Sequence, residues 1–517
     1  MTLSIPNLHA LLAVPVLLPV LTATLLIALP RAWLGMQRLI SGISLAGLFL
    51  VLIALWFSQA SSTSVVYPLG DWPAPFGIVW VYDRLSGLML LLTATVALIS
   101  LIYATSHRID GQGAHFHALF QAELFGLNGA FLTGDVFNLF VFFEVLLLAS
   151  YGLMLHGGGA ARAKAGLHYL VINLVGSTLF LFAVGALYGV LGTLNLADMA
   201  QKISTAPVEN YPLIAAASLM LFIVFAIKAA AFPLYLWLPA TYAETSAPVA
   251  ALFAIMTKVG LYAMLRIHGT LFAADTAPPG LQSLLAPWWL WLGLITLIMA
   301  SLGVWAADSL RRQIAYLVLS SVGTLMIALG LNSAEALTGA LYYWLQSTWL
   351  TAGFFLLADA LVRARGQDGW AATGSPQPFA PLAILFFLYA VALAGLPPFS
   401  GFLGKALILK AALHQPLAPA ILATLLLSSL VLVMALARSG SALFYHHSGT
   451  PQPSKPLPRA DWFALSLPLV LMLIWVVLAG SITQSLAHTS QQFRDSRIYV
   501  QTVLTLTDFP HKPGISP

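Results

Sequence analysis

Lys228, Lys258 and Lys405 stand inside long apolar stretches, and Glu144 stands inside a fourth. An ionisable group near the centre of a bilayer costs at least about 2.5–3.5 kcal/mol, so such groups are kept where they pair, bind ions or pass protons. Glu144 follows Asp135-Val-Phe-Asn-Leu-Phe-Val-Phe-Phe. Among such neighbours its carboxylate must find a cation or take up a proton. Lys228 precedes Ala-Ala-Ala-Phe-Pro233, where a helix break can free carbonyls to solvate an ammonium. Lys258 lies ~15 Å into its stretch at the helical rise, close to the middle of a ~30 Å hydrocarbon core. Lys405 closes the segment Gly395-Leu-Pro-Pro-Phe-Ser-Gly-Phe-Leu-Gly-Lys405 and repeats the pairing of lysine with a broken helix. The chemistry this set can do is proton transfer, with Glu144 biasing the charge on Lys228.

Other ionisable groups are weaker candidates. Glu123 lies inside an apolar stretch without a motif, and His168 opens another, where it could relay protons inward. His115, His117, His268, His414, His446, His447 and His488 fall at stretch ends or in loops and are expected to be solvated. No pair of residues has metal-ligand spacing, no glycine-rich loop follows a strand, and the chain has no cysteine, so no metal or other cofactor is expected.

These groups must be positioned by membrane helices. Of 517 residues, 60% are hydrophobic and 8% charged, and the mean hydropathy is +0.91. That composition describes an all-α polytopic membrane protein rather than a soluble domain or an alternating β-barrel. A net charge of +5, spread along the chain, does not suggest a nucleic-acid surface. Fourteen spans can be drawn, near 9–30, 37–58, 84–104, 115–133, 136–156, 167–191, 212–238, 248–270, 288–306, 312–331, 335–362, 381–413, 418–446 and 462–480. The first is expected to be retained, since no basic segment precedes it. The tail after Gly480 turns polar and is expected to be loosely ordered or partner-bound.

Prolines break spans seven and twelve, five spans apart, as in inverted repeats. The division expected is therefore an N-terminal part (1–114), five-helix units at 115–271 and 288–447 of opposite orientation, and a last helix with its tail (462–517), all within one membrane domain. Lysine and arginine outside the buried set divide twelve to seven between loops after odd and even spans. The positive-inside rule then places the odd loops in the cytoplasm and both termini outside it.

Asp135 to Glu144, Lys228-Ala-Ala-Ala-Phe-Pro-Leu-Tyr-Leu-Trp-Leu-Pro239, Thr257-Lys-Val-Gly-Leu-Tyr262 and Gly395 to Lys405 together resemble a known family. It is that of the antiporter-like proton-pumping subunits shared by respiratory complex I and the multisubunit Mrp-type cation/proton antiporters. The segments Gly70–Val79 and Phe137–Gly159 are most similar to its D-type Mrp branch. The resemblance implies that Glu144, Lys228, Lys258 and Lys405 are water-linked proton-transfer sites along the membrane midplane. It also implies exchange of Na⁺ or K⁺ for H⁺ by a transporter rather than an enzyme, further antiporter subunits and lipid as partners, and a bacterial inner membrane as the location. The alternative within the family is a pumping subunit of a complex I-like dehydrogenase or membrane-bound hydrogenase. Two positions depart from the complex I pattern: Tyr235 and Gln346 stand where relatives often carry histidine. Glutamine cannot load and release a proton near neutral pH, so the link from Lys258 to Lys405 is the expected weak point.

Overall fold

The computed structural model describes residues 8–58, 64–72, 74–273, 275–282, 284–366, 368–370, 380–445 and 458–505. His446 and His447 lie outside them. Eleven helices among the described residues are long and apolar enough to cross a membrane, and Val14–Ala28 and Pro381–Ala394 are shorter apolar ones. This is a multi-pass membrane protein.

The chain opens with α1 (Leu8–Leu11), α2 (Val14–Ala28) and α3 (Leu34–Ser58). A short antiparallel hairpin of β1 (Val65–Pro68) and β2 (Val79–Tyr82), where a loop was expected, leads into α4 (Arg84–Ser106). A capping box starts α4: Asp83 accepts from the Ser86 amide at 2.8 Å and Ser86 Oγ accepts from the Asp83 amide at 2.9 Å.

The next stretch contains α5 (Phe116–Leu132), α6 (Val136–Leu155), α7 (Ala160–Leu191), a short α8 (Leu196–Ser204), α9 (Tyr211–Ala229), α10 (Trp237–Glu244), α11 (Ala247–Phe253) and α12 (Met256–Leu271). Span eight, expected as one helix, is interrupted between α11 and α12. The following stretch contains α13 (Ala286–Ala306), α14 (Leu310–Gly330), α15 (Ala334–Arg365), α16 (Ala380–Ala394), α17 (Ser400–Ala412) and α18 (Ala418–Phe444). Then come α19 (Arg459–Val477), α20 (Ala479–Arg494) and α21 (Ser496–Thr505). The tail up to Thr505 is thus helical rather than loose, because α20 packs on α15 and α21 on α8.

The two proline breaks have matching backbones. Helix α9 stops where Ala230 takes a left-handed φ of 58°, and the Ala231 amide bonds back to Ala226 O at 2.9 Å. Helix α16 stops at Gly395, φ 81°, and the Leu396 amide bonds back to Val391 O at 3.2 Å. Both are helix-ending turns in which a positive-φ residue lets the next amide satisfy a carbonyl of the last turn. Cis peptide bonds follow at Phe232–Pro233 and Pro397–Pro398.

Polar clusters mark the two ends of the bundle. On one, Asp110 pairs with Arg38 (2.6 Å) and His117 (3.0 Å), and Asp359 accepts from Arg311, Arg363 and Tyr103. Burial pushes the Asp110 carboxyl up, but His117 and Arg38 outweigh it and hold the group below the usual carboxylate range. On the other, Arg266 grips Asp83 with two bonds of 2.6 and 2.8 Å beneath the rings of Tyr262, Phe493 and Tyr499. There too burial opposes ionisation, and the Arg266 guanidinium wins, holding Asp83 low.

Candidate proton-transfer site

The three lysines are interior: Lys258 is 0% exposed, Lys228 5% and Lys405 8%. Each is held differently. Lys228 occupies the last turn of α9, and its Nζ has no hydrogen-bond partner among the described residues. The Phe143 ring lies beside it, 5.9 Å from Nζ to centroid. Lys258, near the start of α12, donates to Ser321 Oγ on α14 at 2.5 Å and to Thr257 Oγ1 at 3.4 Å. Lys405, in the second turn of α17, reaches back to Ala394 O at 2.9 Å and to Ser429 Oγ on α18 at 2.9 Å.

Two glycines bring these elements together. A Cβ at Gly260 would stand 2.6 Å from the Ala229 amide nitrogen, so α12 and α9 touch backbone to backbone beside Lys228. A Cβ at Gly395 would meet Lys405 Cδ at 2.7 Å, so the second break leaves space for the lysine stem only because that residue is glycine.

Glu144 is half-buried, and its Oε1 accepts a short hydrogen bond from Ser177 on α7. Among the described residues no cation lies within ion-pair distance of it; the neighbour to Phe143 is a hydroxyl-bound carboxylate rather than one clamped to Lys228. Gln346 is buried beside the second break: Ser400 Oγ donates to its Oε1 at 3.4 Å, and its Nε2 has no partner among the described residues. Tyr235 is half-buried in the first break and stacks on Phe232 with centroids 6.5 Å apart.

Two other candidates sit apart from this set. His168 is exposed on the outer face of α7, so it does not reach inward within this chain; helical spacing put its neighbour Tyr169 on the buried side instead. Glu123 is fully buried on α5 with both carboxylate oxygens unpartnered among the described residues. An unpaired buried carboxylate is costly, so this position is an energetic exception in α5.

Sequence reasoning also misread two histidines. His117 is buried against Asp110, and His268 is buried with its ring nitrogens facing Met264 O and Ser218 O. His115, His414 and His488 are exposed as expected. His268 borders a cavity of about 200 Å³ that also touches Trp289, Asn332, Phe493 and Arg494. Ser177, Ser321 and the Asp83–Arg266 pair were not singled out either. A hydroxyl at one-turn spacing inside an apolar helix is the signal that could have pointed to Ser321, which lies three residues before Thr324.

The chain as a whole is similar to known proteins. Residues 133–431 match the family model described as NADH:quinone oxidoreductase/Mrp antiporter, TM. A Rhizobium meliloti protein, named as the D-type component of a probable K(+)/H(+) antiporter, is 41% identical over 470 residues, 84% of this chain and 87% of its own length. The D-type component of the Na(+)/H(+) antiporter of Alkalihalophilus pseudofirmus is 35% identical over 502 residues, 96% of this chain and 99% of its own. Among solved structures, a chain of the Mrp complex from a Dietzia species superposes with a TM-score of 0.87 at 25% identity, covering 96% of this chain and 100% of that one. A chain of respiratory complex I from Thermus thermophilus gives 0.78 at 26%, covering 94% and 99%. The chain belongs to the NADH:quinone oxidoreductase/Mrp antiporter transmembrane family.

Proposed function

We propose that this chain is the proton-translocating D-type component of a multisubunit antiporter that exchanges Na⁺ or K⁺ for H⁺. It is a transporter subunit, not an enzyme, and works with other Mrp-type subunits in a bacterial inner membrane. The observation that carries this reading is the placement of three buried lysines on separate interior helices, two of them at breaks of matching backbone. Relatives at 35–41% identity over most of the chain are named as D-type antiporter components, which favours the antiporter over a complex I-like pump.

Protons pass among Lys258, Lys228 and Lys405. Lys228 has no hydrogen-bonded partner among the described residues, so a shift of Glu144 toward it favours the ammonium and a shift away favours the amine. Moving one charge through the full potential is worth about 2.3 kcal/mol per 100 mV, a size that such a rearrangement can match. Glu123 holds a proton off the main row, and Tyr235 and Gln346 flank the two breaks. His168, exposed on α7, contributes only through a partner subunit. The matched breaks support two five-helix units of opposite orientation within a fourteen-span plan. The Asp110 end, which gathers Arg38, Arg311 and Arg363, is the cytoplasmic one, and both termini lie outside.

The test is cation-driven proton flux in everted vesicles carrying the whole antiporter complex. Lys228→Met is expected to lower flux by ~100-fold, the scale of a positioned proton-transfer group. Flux unchanged in an assembled Lys228→Met complex would sink the relay. Flux that follows NADH oxidation and ignores Na⁺ and K⁺ would replace the antiporter reading with the complex I-like one.

A further inference from the structure

We propose that His268 is an outward-facing proton-binding site that pins α9 to α12 and so sets the spacing of the helices that carry Lys228 and Lys258. The inference rests on the relay and orientation read above, and it adds a positioning group outside the lysine row.

His268 lies in the last turn of α12 and is 5% exposed. Its Nδ1 stands 3.0 Å from Met264 O on the same helix, and its Nε2 stands 3.1 Å from Ser218 O on α9. Carbonyl oxygens only accept. A neutral imidazole carries one N–H, so either tautomer turns a lone pair toward one of these oxygens; the imidazolium donates to both. The observed ring placement is therefore complementary to the protonated form. Ser218 and His268 each stand ten residues from the lysine of their own helix, ~15 Å at the helical rise. At the lysine end the same two helices touch backbone to backbone, where a Cβ at Gly260 would meet the Ala229 amide nitrogen at 2.6 Å.

The cavity of about 200 Å³ reaches this ring, and two of its lining residues, Asn332 and Arg494, are exposed. It is large enough to hold water. It lies at the Arg266 end of the bundle, the outer one in the orientation above. The charged groups around it are engaged elsewhere. Arg494 donates to Asn332 O and Oδ1, and Asp275 accepts from Ser496. Asp198 on α8 pairs with Lys202, and Arg266 on α12 itself pairs with Asp83. From α9, α13, α14 and α15 the ring and cavity meet Phe222, Phe225, Trp289, Ala328 and Leu337, none of them charged. The two carbonyls are thus what the ring proton answers to.

A hydronium in the cavity gives one proton to the ring and leaves water behind. The imidazolium then closes both bonds and holds α9 against α12. Return of the proton to water leaves one carbonyl facing a lone pair, and the outer half of α9 loosens. Outer acidity thereby fixes the geometry in which Lys228 and Lys258 work.

The experiment uses the complete antiporter complex. In nanodiscs, amide exchange over residues 211–221, corrected for its intrinsic pH dependence, is expected to be ~10-fold slower at about pH 6 than at about pH 8. His268→Gln is expected to remove that difference. In everted vesicles the outer face is luminal. With bath pH fixed, flux is expected to rise ~10-fold beyond the change in driving force as luminal pH falls through the same range, and His268→Gln to follow driving force alone. The wild-type exchange comparison needs no variant and carries the test if His268→Gln does not assemble. Absence of the wild-type exchange step, or its survival in His268→Gln, overturns the pin. A lower melting temperature in His268→Gln with both pH profiles unchanged makes the residue a packing group and overturns it as well. A flux step that follows bath pH overturns the outward assignment. Lys228→Met separates the two levels: flux retained there sinks the relay, while the exchange step still reports on His268.

Discussion

The two broken helices share one backbone turn and supply their lysines from opposite arms. Lys228 stands two residues before the positive-φ Ala230, on the arm that ends at the break. Lys405 stands ten residues after Gly395, on the arm that begins beyond the break, and bends back to the carbonyl of Ala394. The ammonium at the second break is therefore held by a helix C-terminal carbonyl and a serine, where the helix dipole also favours a cation. The ammonium at the first break has no hydrogen-bond partner among the described residues and lies 5.9 Å from the Phe143 ring centroid. One turn can thus build a resting place for a charge or a site where charge is easily lost, depending on which arm carries the lysine.

Methionine scans at both sites test this contrast most strongly. Lys228→Met and Lys405→Met are each expected to lower cation-driven proton flux ~100-fold in vesicles. Only Lys405→Met should lower thermal stability, by ~1–3 kcal/mol, because it strands a buried carbonyl. Equal destabilisation by the two would erase the distinction. Next in size is the pair of turn residues. Gly395→Ala puts a Cβ into the Lys405 stem at a φ that side chains rarely adopt and should cost ~1–3 kcal/mol. Ala230→Gly relieves its left-handed residue and should be neutral or stabilising by up to ~1 kcal/mol, read by melting of the purified complex. A smaller effect is expected at Thr296 on α13, whose hydroxyl accepts from the Phe232 amide at 2.9 Å. Thr296→Val should cost ~1 kcal/mol and raise amide exchange around the first break alone.

Acid titration supplies the mildest perturbation and a control outside both breaks. Asp110 has a folded carboxyl held below its ordinary value, about 3.9. Its contribution is complete above that value and is lost as pH falls through the depressed one. Melting followed between neutral pH and pH ~3 should show this loss in the parent and in both methionine variants. Asp110→Asn should remove it, and the stability difference between Lys228→Met and Lys405→Met should persist above pH ~4.

Much of this was legible in the chain because membrane helices are written in long apolar runs and breaks are written in proline. The buried lysines and both breaks follow from those two signals, whereas Gln346 stood out only through the family resemblance. What escaped was lateral. Nothing local says that Arg266 finds Asp83, more than 180 residues away, or that Ser321 meets Lys258 across two helices. His168 and Tyr169 are adjacent and equally polar at the tip, and only the rotation of α7 decides which one faces inward. His117 looked solvated from its place near a helix start, yet its partner Asp110 folds over it.

Helices α7 and α15 are both 32 residues long, or ~48 Å, well beyond a ~30 Å hydrocarbon layer. In α15, 94% of the apolar window is buried, against 39% in α7. A helix sealed inside protein has its tilt set by its neighbours, whereas one facing lipid tilts to match the bilayer. Changing acyl-chain length should therefore turn α7, with Ser177 and the Glu144 bond it carries, while α15 and the residues packed on it stay in place. Membrane thickness becomes a handle on the first break that leaves the second untouched.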